Sequence, residues 1–391
     1  MSTSTTNLRP RTLPALTGFR ALAALHVFVF HFTPWPWRTA FPGAMGLVHA
    51  GYVSVSALFL LSGFVLAVNY PAPLDGPGRV RFLVARFARI YPSYLAAFAI
   101  YVPIAVDEWF GRELPAAVDP RLGFTISAVL SLALLQAWTP WTARTWNAPG
   151  WATSAIAFGY LVFPWAAARL SRLRPRALLA ATTALWLCGL VPALAYAALA
   201  PDGWSASPGT QGALVDLMKH HPLARIGEML TGVALGLWWS KGGYRAHVPG
   251  WAAPAAALAT LGLATFSPPL LPYALVHDGL LSPLLAIVLV GLATGRGALA
   301  RILAARPLVR LGEAGFAIYV LQWPVWFVAE RLAIGLGVDT LTGTWFLTML
   351  VAHVGFCLAW VRWAEKPLRR ALRAGFDDLA ARWPALSAPG S

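Results

Sequence analysis

The chain has 391 residues, of which 58% are hydrophobic and only 12% charged, whereas a soluble domain carries about 25% charged residues. Its net charge of +15 comes from short basic runs between long apolar segments, as the positive-inside rule expects, and not from one basic face as in a nucleic-acid-binding protein. Composition and charge therefore exclude a soluble enzyme and a nucleic-acid binder, and they predict an all-α integral membrane protein embedded in the lipid bilayer.

Eleven apolar segments follow one another along the chain. They cover residues 15–33, 51–70, 82–105, 122–138, 150–168, 177–199, 222–240, 250–266, 277–295, 312–333 and 343–364. Basic residues concentrate in the two tails and in alternate connections, at 79–89, 169–176, 241–245 and 296–310. If all eleven segments crossed the bilayer, the run at 169–176 and every later basic connection would face outside. We therefore predict that the short, tryptophan-flanked segment 122–138 is re-entrant or interfacial, which leaves about ten transmembrane helices.

The same charge pattern sets the predicted domain organisation. Both termini are expected in the cytoplasm, with an N-terminal tail over 1–12, a membrane domain over 13–370 and a C-terminal tail over 371–391. No fused soluble domain, long linker or internal repeat is evident. This organisation is typical of a multi-pass protein of a bacterial-type inner membrane.

The first segment carries ionisable residues, which are functional candidates wherever they lie inside a membrane. Arg20 and His31 are eleven residues apart, so they share one helix face at about 16 Å along the axis, whereas His26 lies about 140° away from His31. An arginine near the cytoplasmic surface and an imidazole deeper in the bilayer suit a long anionic substrate with a reactive tip, such as a coenzyme A thioester. The commoner explanation is a snorkelling arginine and a packing histidine.

Two further clusters carry charge at helical spacing. Arg86 and Arg89 are three residues apart on one face, where two guanidinium groups could bind phosphate oxygens or anchor the helix at the cytoplasmic surface. Arg225 and Glu228 have the same spacing and form either an intrahelical ion pair or a substrate-orienting pair.

The remaining histidines and the cysteines give no further site. His277 precedes Asp278, but no nucleophile elbow accompanies them, so a hydrolase triad is not predicted. His220, His221, His247, His277 and His353 are interpreted as packing or interface residues. No metal is expected, because neither cysteine has a partner at metal or redox spacing.

Several motifs resemble those of the membrane acyltransferase-3 family. They occur in the family's order between residues 13 and 370, at Leu16–His31, Gly51–Phe64, Arg86–Pro92, Asn147–Trp151, Tyr160–Pro164, Leu311–Pro324 and Glu365–Arg369. Within the family, the opening motif and the segment Pro222–Gly232 look most like antibiotic and macrolide O-acyltransferases, with polysaccharide O-acetyltransferases as near neighbours.

The resemblance implies ten spanning helices and an acyl-CoA donor, with acetyl or another short acyl group as the expected cargo. It also implies that Arg20 and His31 are the essential pair and that Arg86 and Arg89 bind the donor. The expected reaction is O-acylation of a carbohydrate or a glycosylated small molecule, with His31 as general base. Asn147 or Tyr160 would stabilise the tetrahedral intermediate, and a covalent acyl-histidine is an open alternative.

Three positions depart from the family pattern. Thr17 and Ile156 replace acidic residues, and Gln322 replaces a histidine. If the missing acid normally orients the catalytic histidine, another group must do so here, and Glu228 and the hydroxyl of Ser62 are the candidates. The departures leave a non-catalytic family member as one alternative, and a transporter or flippase for a sugar-containing substrate is the other.

Overall fold

The computed structural model describes residues 12–111, 119–243, 248–266 and 271–382. The predicted N-terminal tail up to residue 11, His247 and the C-terminal tail from residue 383 lie outside the described residues. Helices and no strands form the described part of the chain, which confirms the predicted all-α class. The α-helices are α1 (Pro14–Phe32), α2 (Trp35–Ala40), α3 (Pro42–His49), α4 (Gly51–Asn69), α5 (Gly76–Phe110), α6 (Pro120–Leu132), α7 (Trp151–Leu170), α8 (Pro175–Gly189), α9 (Val191–Leu199), α10 (Ala213–His220), α11 (Pro222–Ser240), α12 (Ala252–Phe266), α13 (Tyr273–His277), α14 (Ser282–Ala293), α15 (Ala298–Leu303), α16 (Arg306–Glu313), α17 (Gly315–Gly335), α18 (Gly343–Trp360) and α19 (Lys366–Arg382).

Local sequence explains where many of these helices begin. Eleven of the nineteen α-helices in the described residues have a proline in their first two positions, where its missing N–H costs nothing and its fixed φ suits a helix. Asp75 caps α5 by accepting a hydrogen bond from Gly78 N at 2.6 Å, and Asp119 caps α6 by accepting one from Arg121 N at 2.8 Å. These caps satisfy backbone donors that the first turn of a helix leaves unpaired.

Seven stretches within the described residues are long and apolar enough to cross a membrane. They are Pro14–Phe32, Gly43–Asn69, Gly76–Phe110, Ala148–Leu170, Pro175–Leu199, Tyr273–Ala293 and Gly343–Ala380. The helices α11 and α17 have 19 and 21 residues and carry charged side chains, and α12 has 15 residues. The chain is thus built from apolar helices of the length that a bilayer requires.

The helix α6, which covers most of the segment predicted not to cross, reaches only part of the way along α5. Its start lies beside the end of α5, with the rings of Phe110 and Phe124 5.3 Å apart. Its end lies beside the middle of α5, because Tyr94 donates a hydrogen bond to the Ser131 carbonyl at 2.9 Å. The chain then turns at Leu134, which has a positive φ of 59°, a value that non-glycine residues rarely adopt.

The helices α4 and α11 pack closely because each helix has a glycine that faces the backbone of the other helix. A Cβ on Gly63 would lie 1.9 Å from the Met229 carbonyl oxygen, and a Cβ on Gly232 would lie 2.1 Å from the Leu60 carbonyl oxygen. Small residues permit such approach between helices that cannot rely on hydrophobic exclusion of water. This contact fixes the positions of Ser56 and Arg225, which occupy the same two helices.

We expect Gly232→Ala to destabilise the protein by about 1–3 kcal/mol, because the added methyl group must displace backbone. The measurement is thermal unfolding in detergent, and Gly262→Ala is the matched control, since a Cβ there meets no heavy atom within 4 Å. Equal melting temperatures for the two variants would contradict the close α4–α11 contact.

Candidate active site

Five arginines line one cavity of about 290 Å³ at the end of the bundle where α1 and α5 begin. They are Arg20, Arg86, Arg89, Arg369 and Arg373, and we call this space the arginine cavity. Guanidinium groups gathered in one cleft repel each other and together attract a polyanion. The structure thus brings together the three arginines predicted from α1 and α5 and adds two from α19.

The arginine cavity is shaped by a buried carboxylate. Arg89 pairs with Glu365, which is 1% exposed and also accepts a hydrogen bond from Ser93 Oγ at 2.7 Å. Glu365 ends a π-helical turn over Val361–Glu365, a feature frequently found at functional sites. The closing motif therefore positions Arg89 and begins the helix that brings Arg369 into the same cavity.

Arg86 is placed differently from Arg89. Its guanidinium carbon lies 5.8 Å from the ring centre of Tyr70 and 5.7 Å from that of Phe82. Its Nε is buried and has no hydrogen-bond partner among the described residues. A buried donor without a partner is costly, so this arginine has hydrogen-bonding capacity to offer an anion in the cavity.

A second cavity of about 250 Å³ contains His31, and we call it the histidine cavity. Its wall includes Tyr52, Lys219, His220 and His277. The two cavities adjoin, because the side chains of Val55 and Tyr319 line both of them. Arg20 and His31, predicted as one pair, therefore lie in separate but neighbouring cavities.

Gln322 holds the ring of His31. Its Nε2 donates a hydrogen bond to the Tyr319 carbonyl at 2.7 Å, and its Oε1 lies 3.3 Å from His31 Nδ1. A carbonyl oxygen can only accept, so the contact with Tyr319 fixes which way the amide of Gln322 faces. Oε1 is then an acceptor for a proton on Nδ1, and His31 Nε2 remains the basic nitrogen.

The other predicted residues do not contact His31. Glu228 lies 2.8 Å from Arg225, and Ser62 donates to the Leu58 carbonyl at 2.7 Å, so neither candidate for orienting His31 is beside it. Ser62 lines the arginine cavity instead.

Asn147 and Tyr160, the candidates for stabilising the intermediate, are also divided. Tyr160 lines the arginine cavity, as does Ile156. Asn147 donates from Nδ2 to the Val320 carbonyl at 2.8 Å, so it supports the helix that carries Gln322.

Several residues that the structure places at the site have weaker signals in the sequence. Arg369 lies in the closing motif and Arg373 in the predicted C-terminal tail, and neither is a predicted donor-binding residue, although their i,i+4 spacing puts them on one helix face. Tyr319 appeared only inside a motif. Gln322 was interpreted as a departure from the family pattern. A glutamine in place of the usual histidine nevertheless keeps a side chain that can form hydrogen bonds at this position.

A short loop and α10 cover the histidine cavity at its outer wall. Lys219 Nζ donates to the Thr210 carbonyl at 3.2 Å and lies 5.0 Å from the ring centre of Tyr273. His220 Nδ1 lies 3.4 Å from Asp216. Burial lowers the pKa of His220, and Asp216 opposes that shift. The cover thus adds further polar groups to the histidine cavity.

The sequence pattern of the acyltransferase-3 family, described as an acyltransferase domain, matches residues 13–363. The chain belongs to this family. Acyltransferase MdmB of Streptomyces mycarofaciens is 32% identical over an alignment of 340 residues that covers 82% of this chain and 80% of that protein. Protein 2 in the picA locus of Rhizobium radiobacter is 38% identical over 95 residues, 23% of this chain and 44% of that protein. No solved structure matches the chain significantly.

Family membership makes this multi-pass membrane protein a transferase of acyl groups. The match begins at the first residues of α1 and runs into the π-helical turn that holds Glu365. It therefore covers His31, Gln322 and Tyr319, and of the residues that line the two cavities only Arg369 and Arg373 lie beyond it.

Proposed function

We propose that the protein is an integral membrane O-acyltransferase of the bacterial inner membrane. It moves an acetyl or other short acyl group from acyl-CoA to a hydroxyl of a carbohydrate or a glycosylated small molecule. The observation that carries this proposal is the pair of adjoining cavities, one lined by five arginines and the other containing His31. Two substrates of different charge can meet where Val55 and Tyr319 line both cavities.

The arginine cavity is the proposed donor site. The phosphates of acyl-CoA would bind Arg20, Arg86 and Arg89, as the family resemblance implies, together with Arg369 and Arg373. Guanidinium groups bind phosphate oxygens in a planar, often bidentate geometry. The extended arm of the donor would then place its thioester at Val55 and Tyr319, within reach of the histidine cavity.

The histidine cavity is the proposed acceptor site. His31 Nε2 takes the proton of the acceptor hydroxyl as the oxygen attacks the thioester carbonyl, and the C–S bond then breaks. The protonated imidazole returns the proton to the leaving CoA thiolate. The phenol of Tyr319 lines both cavities, so it is placed better than Asn147 or Tyr160 to donate to the oxygen of the intermediate.

Ten crossings with both termini in the cytoplasm agree with the alternation of basic connections along the chain. The seven apolar spans are completed by α11, α12 and α17, and α6 enters the bundle without crossing it. In this arrangement the arginine cavity faces the cytoplasm, where acyl-CoA is made, and the positive-inside rule is satisfied.

The test is turnover of acetyl-CoA labelled in the acetyl group by detergent-purified protein. Methyl glycosides, a macrolide glycoside and a cell-envelope extract are supplied as acceptors. Labelled acceptor together with free CoA supports the proposal. Donor binding without turnover would indicate a non-catalytic member, and saturable flux of a glycoside into vesicles without acyl transfer would indicate a transporter.

We expect Gln322→Leu to lower kcat for acyl transfer about 10- to 100-fold with little change in KM for the donor. Leucine has a similar volume but cannot accept the Nδ1 proton, so His31 loses the tautomer that leaves Nε2 basic. The control is Gln322→Glu, which keeps an acceptor at this position. Equal rates for Gln322→Leu and the wild type would show that the hydrogen bond does not orient His31.

Arg369→Gln is expected to raise KM for acyl-CoA roughly tenfold, since a charged hydrogen bond to a phosphate is worth about 1.5–3 kcal/mol. Arg370→Gln is the matched control, because Arg370 is the next residue on α19, is exposed and does not line the cavity. Initial rates against acyl-CoA concentration measure both. Equal KM values for acyl-CoA in the two variants would show that Arg369 of α19 does not bind the donor.

A further inference from the structure

A cluster of charged side chains is buried beside the histidine cavity and has no part in the mechanism above. Arg225 is 1% exposed, Glu228 4% and Asp278 2%. Arg225 Nη2 lies 2.8 Å from Glu228 Oε2, and Arg225 Nη1 lies 2.5 Å from Asp278 Oδ1. Helical spacing predicts the pairing of Arg225 with Glu228. It does not predict the contact with Asp278, because Asp278 is more than fifty residues from Arg225 in the sequence.

The cluster fixes the main chain of one residue, His277. The His277 carbonyl accepts hydrogen bonds from Arg225 Nη1 at 2.8 Å and from Ser56 Oγ at 3.0 Å. Arg225 Nη2 also donates to Ser56 Oγ at 3.2 Å. Buried ion pairs contribute little net stability. Here the ion pairs hold the main chain of His277 in place, and the side chain of His277 lines the histidine cavity.

The side chain of His277 is the member of the cluster that lines the histidine cavity. Its Nδ1 lies 2.7 Å from Asp278 Oδ1 and 3.2 Å from Arg225 Nη1. We assign the proton to Nδ1 because the shorter contact is with the carboxylate, which accepts when ionised. Nε2 is then an acceptor available to the cavity. The ring stacks on Tyr52 at 5.7 Å between centres and lies 5.5 Å from Tyr273.

Three imidazoles line this cavity of about 250 Å³, those of His31, His220 and His277. In His31 and His277, Nδ1 lies within hydrogen-bond distance of an acceptor, and Nε2 is left as a base. His31 is supported by a neutral amide and His277 by a carboxylate. Tyrosine rings beside hydrogen-bonding groups form a site that suits a ligand with apolar faces and polar edges. A sugar ring has both.

We propose that His277 is an acceptor-binding residue whose Nε2 accepts a hydrogen bond from a second hydroxyl of the acceptor, next to the hydroxyl that His31 deprotonates. Asp278 and Arg225 are positioning residues that act through His277. This assignment rests on the proposed function and narrows the acceptor to a molecule with at least two neighbouring hydroxyls, packed against Tyr52.

The test compares wild type, His277→Phe and His277→Gln with acetyl-CoA as donor. The acceptors are methyl glycosides, their monodeoxy analogues and a macrolide glycoside. We expect His277→Phe to raise the acceptor KM roughly tenfold, the effect of losing one hydrogen bond, and His277→Gln to restore part of it. A monodisperse elution profile in detergent and the dissociation constant for acetyl-CoA check that both variants fold and bind donor.

The deoxy analogues separate a binding role from a structural one. The analogue lacking the second hydroxyl should be as poor a substrate for wild type as the parent glycoside is for His277→Phe. The KM for that analogue should be the same with His277→Phe as with wild type, because the hydrogen bond is already absent. Equal losses for every analogue would overturn the assignment, because a structural defect does not distinguish one hydroxyl from another.

Chemical labelling tests access without any turnover. Diethyl pyrocarbonate reacts with accessible unprotonated imidazoles, so mass spectrometry of labelled wild type should find His277 modified. His353 is the control, because it is 0% exposed and its Nε2 lies 2.9 Å from the Ile318 carbonyl. An unlabelled His277 in the folded protein would overturn the assignment.

The outcomes distinguish this assignment from the function on which it rests. If wild type neither releases CoA nor transfers the acetyl group, the proposed function fails and the assignment fails with it. If wild type turns over and His277→Phe keeps the wild-type acceptor KM, only the assignment fails. Release of CoA by wild type without transfer to any glycoside also overturns the assignment of a polyhydroxyl acceptor.

Discussion

Replacement of His31 by alanine should lower acyl transfer by about 10²- to 10⁴-fold, the contribution usual for a general base. The imidazole lines the proposed acceptor cavity and is oriented by a hydrogen bond with Gln322. Donor binding should be unchanged, because the phosphates are expected to bind in the arginine cavity. The measurement is single-turnover transfer from labelled acetyl-CoA beside the donor dissociation constant.

His26→Ala is the matched control for this prediction. His26 is on the same helix and is also engaged by polar groups, with Nδ1 2.9 Å from Ser54 Oγ and Nε2 2.8 Å from the Leu47 carbonyl. It does not line the histidine cavity. Wild-type transfer by folded His31→Ala would refute the general-base mechanism, whereas equal losses in both variants would indicate a helix-packing defect.

The second large effect is expected at Arg225. Arg225→Met should destabilise the fold by about 3–5 kcal/mol, because it leaves Glu228 and Asp278 buried without their cation. The loss should appear as a lower unfolding temperature in detergent and as reduced yield of monodisperse protein. This is a prediction about stability and does not depend on catalysis.

A triple variant provides the control for Arg225. Adding Glu228→Gln and Asp278→Asn to Arg225→Met removes the stranded charges, so the triple variant should recover a large part of the lost stability. A single variant as stable as wild type would show that the cluster is solvated. A triple variant no better than the single one would show that packing around Phe59 and Trp151, which flank Arg225, matters more than charge.

The helical framework followed closely from the sequence. The predicted segments 15–33 and 222–240 correspond to α1 (Pro14–Phe32) and α11 (Pro222–Ser240), because apolar runs of spanning length bounded by proline and charge have one stable solution in a bilayer. The segment 177–199 proved to contain two helices, α8 and α9, and the segment 277–295 begins at the last residue of α13 and then contains α14. Hydropathy averages over such breaks and cannot locate them.

The short helices were not predicted. The amphipathic helix α16 (Arg306–Glu313) and α10 (Ala213–His220) are eight residues long. Helices of that length are marginal in isolation and depend on tertiary packing. Their apolar faces are too brief to stand out from a connection in the sequence.

The sequence by itself determined the residue types of the site and the helices that carry them. Arg20, Arg86 and Arg89 were identified from helical spacing and family motifs, and the structure brings them to one cavity. Spacing within a helix suffices for this because the rise and turn of an α-helix are fixed.

Only the tertiary structure decided what each side chain faces. It places Arg20 and His31 in adjoining cavities and puts Gln322 within hydrogen-bond distance of His31. It also brings Arg225 into contact with Asp278 and His277, which lie more than fifty residues away in the sequence. These contacts depend on how helices cross, and the crossings depend on close approaches such as Gly63 against Met229. Such approaches are set by packing between distant segments, which local sequence does not encode.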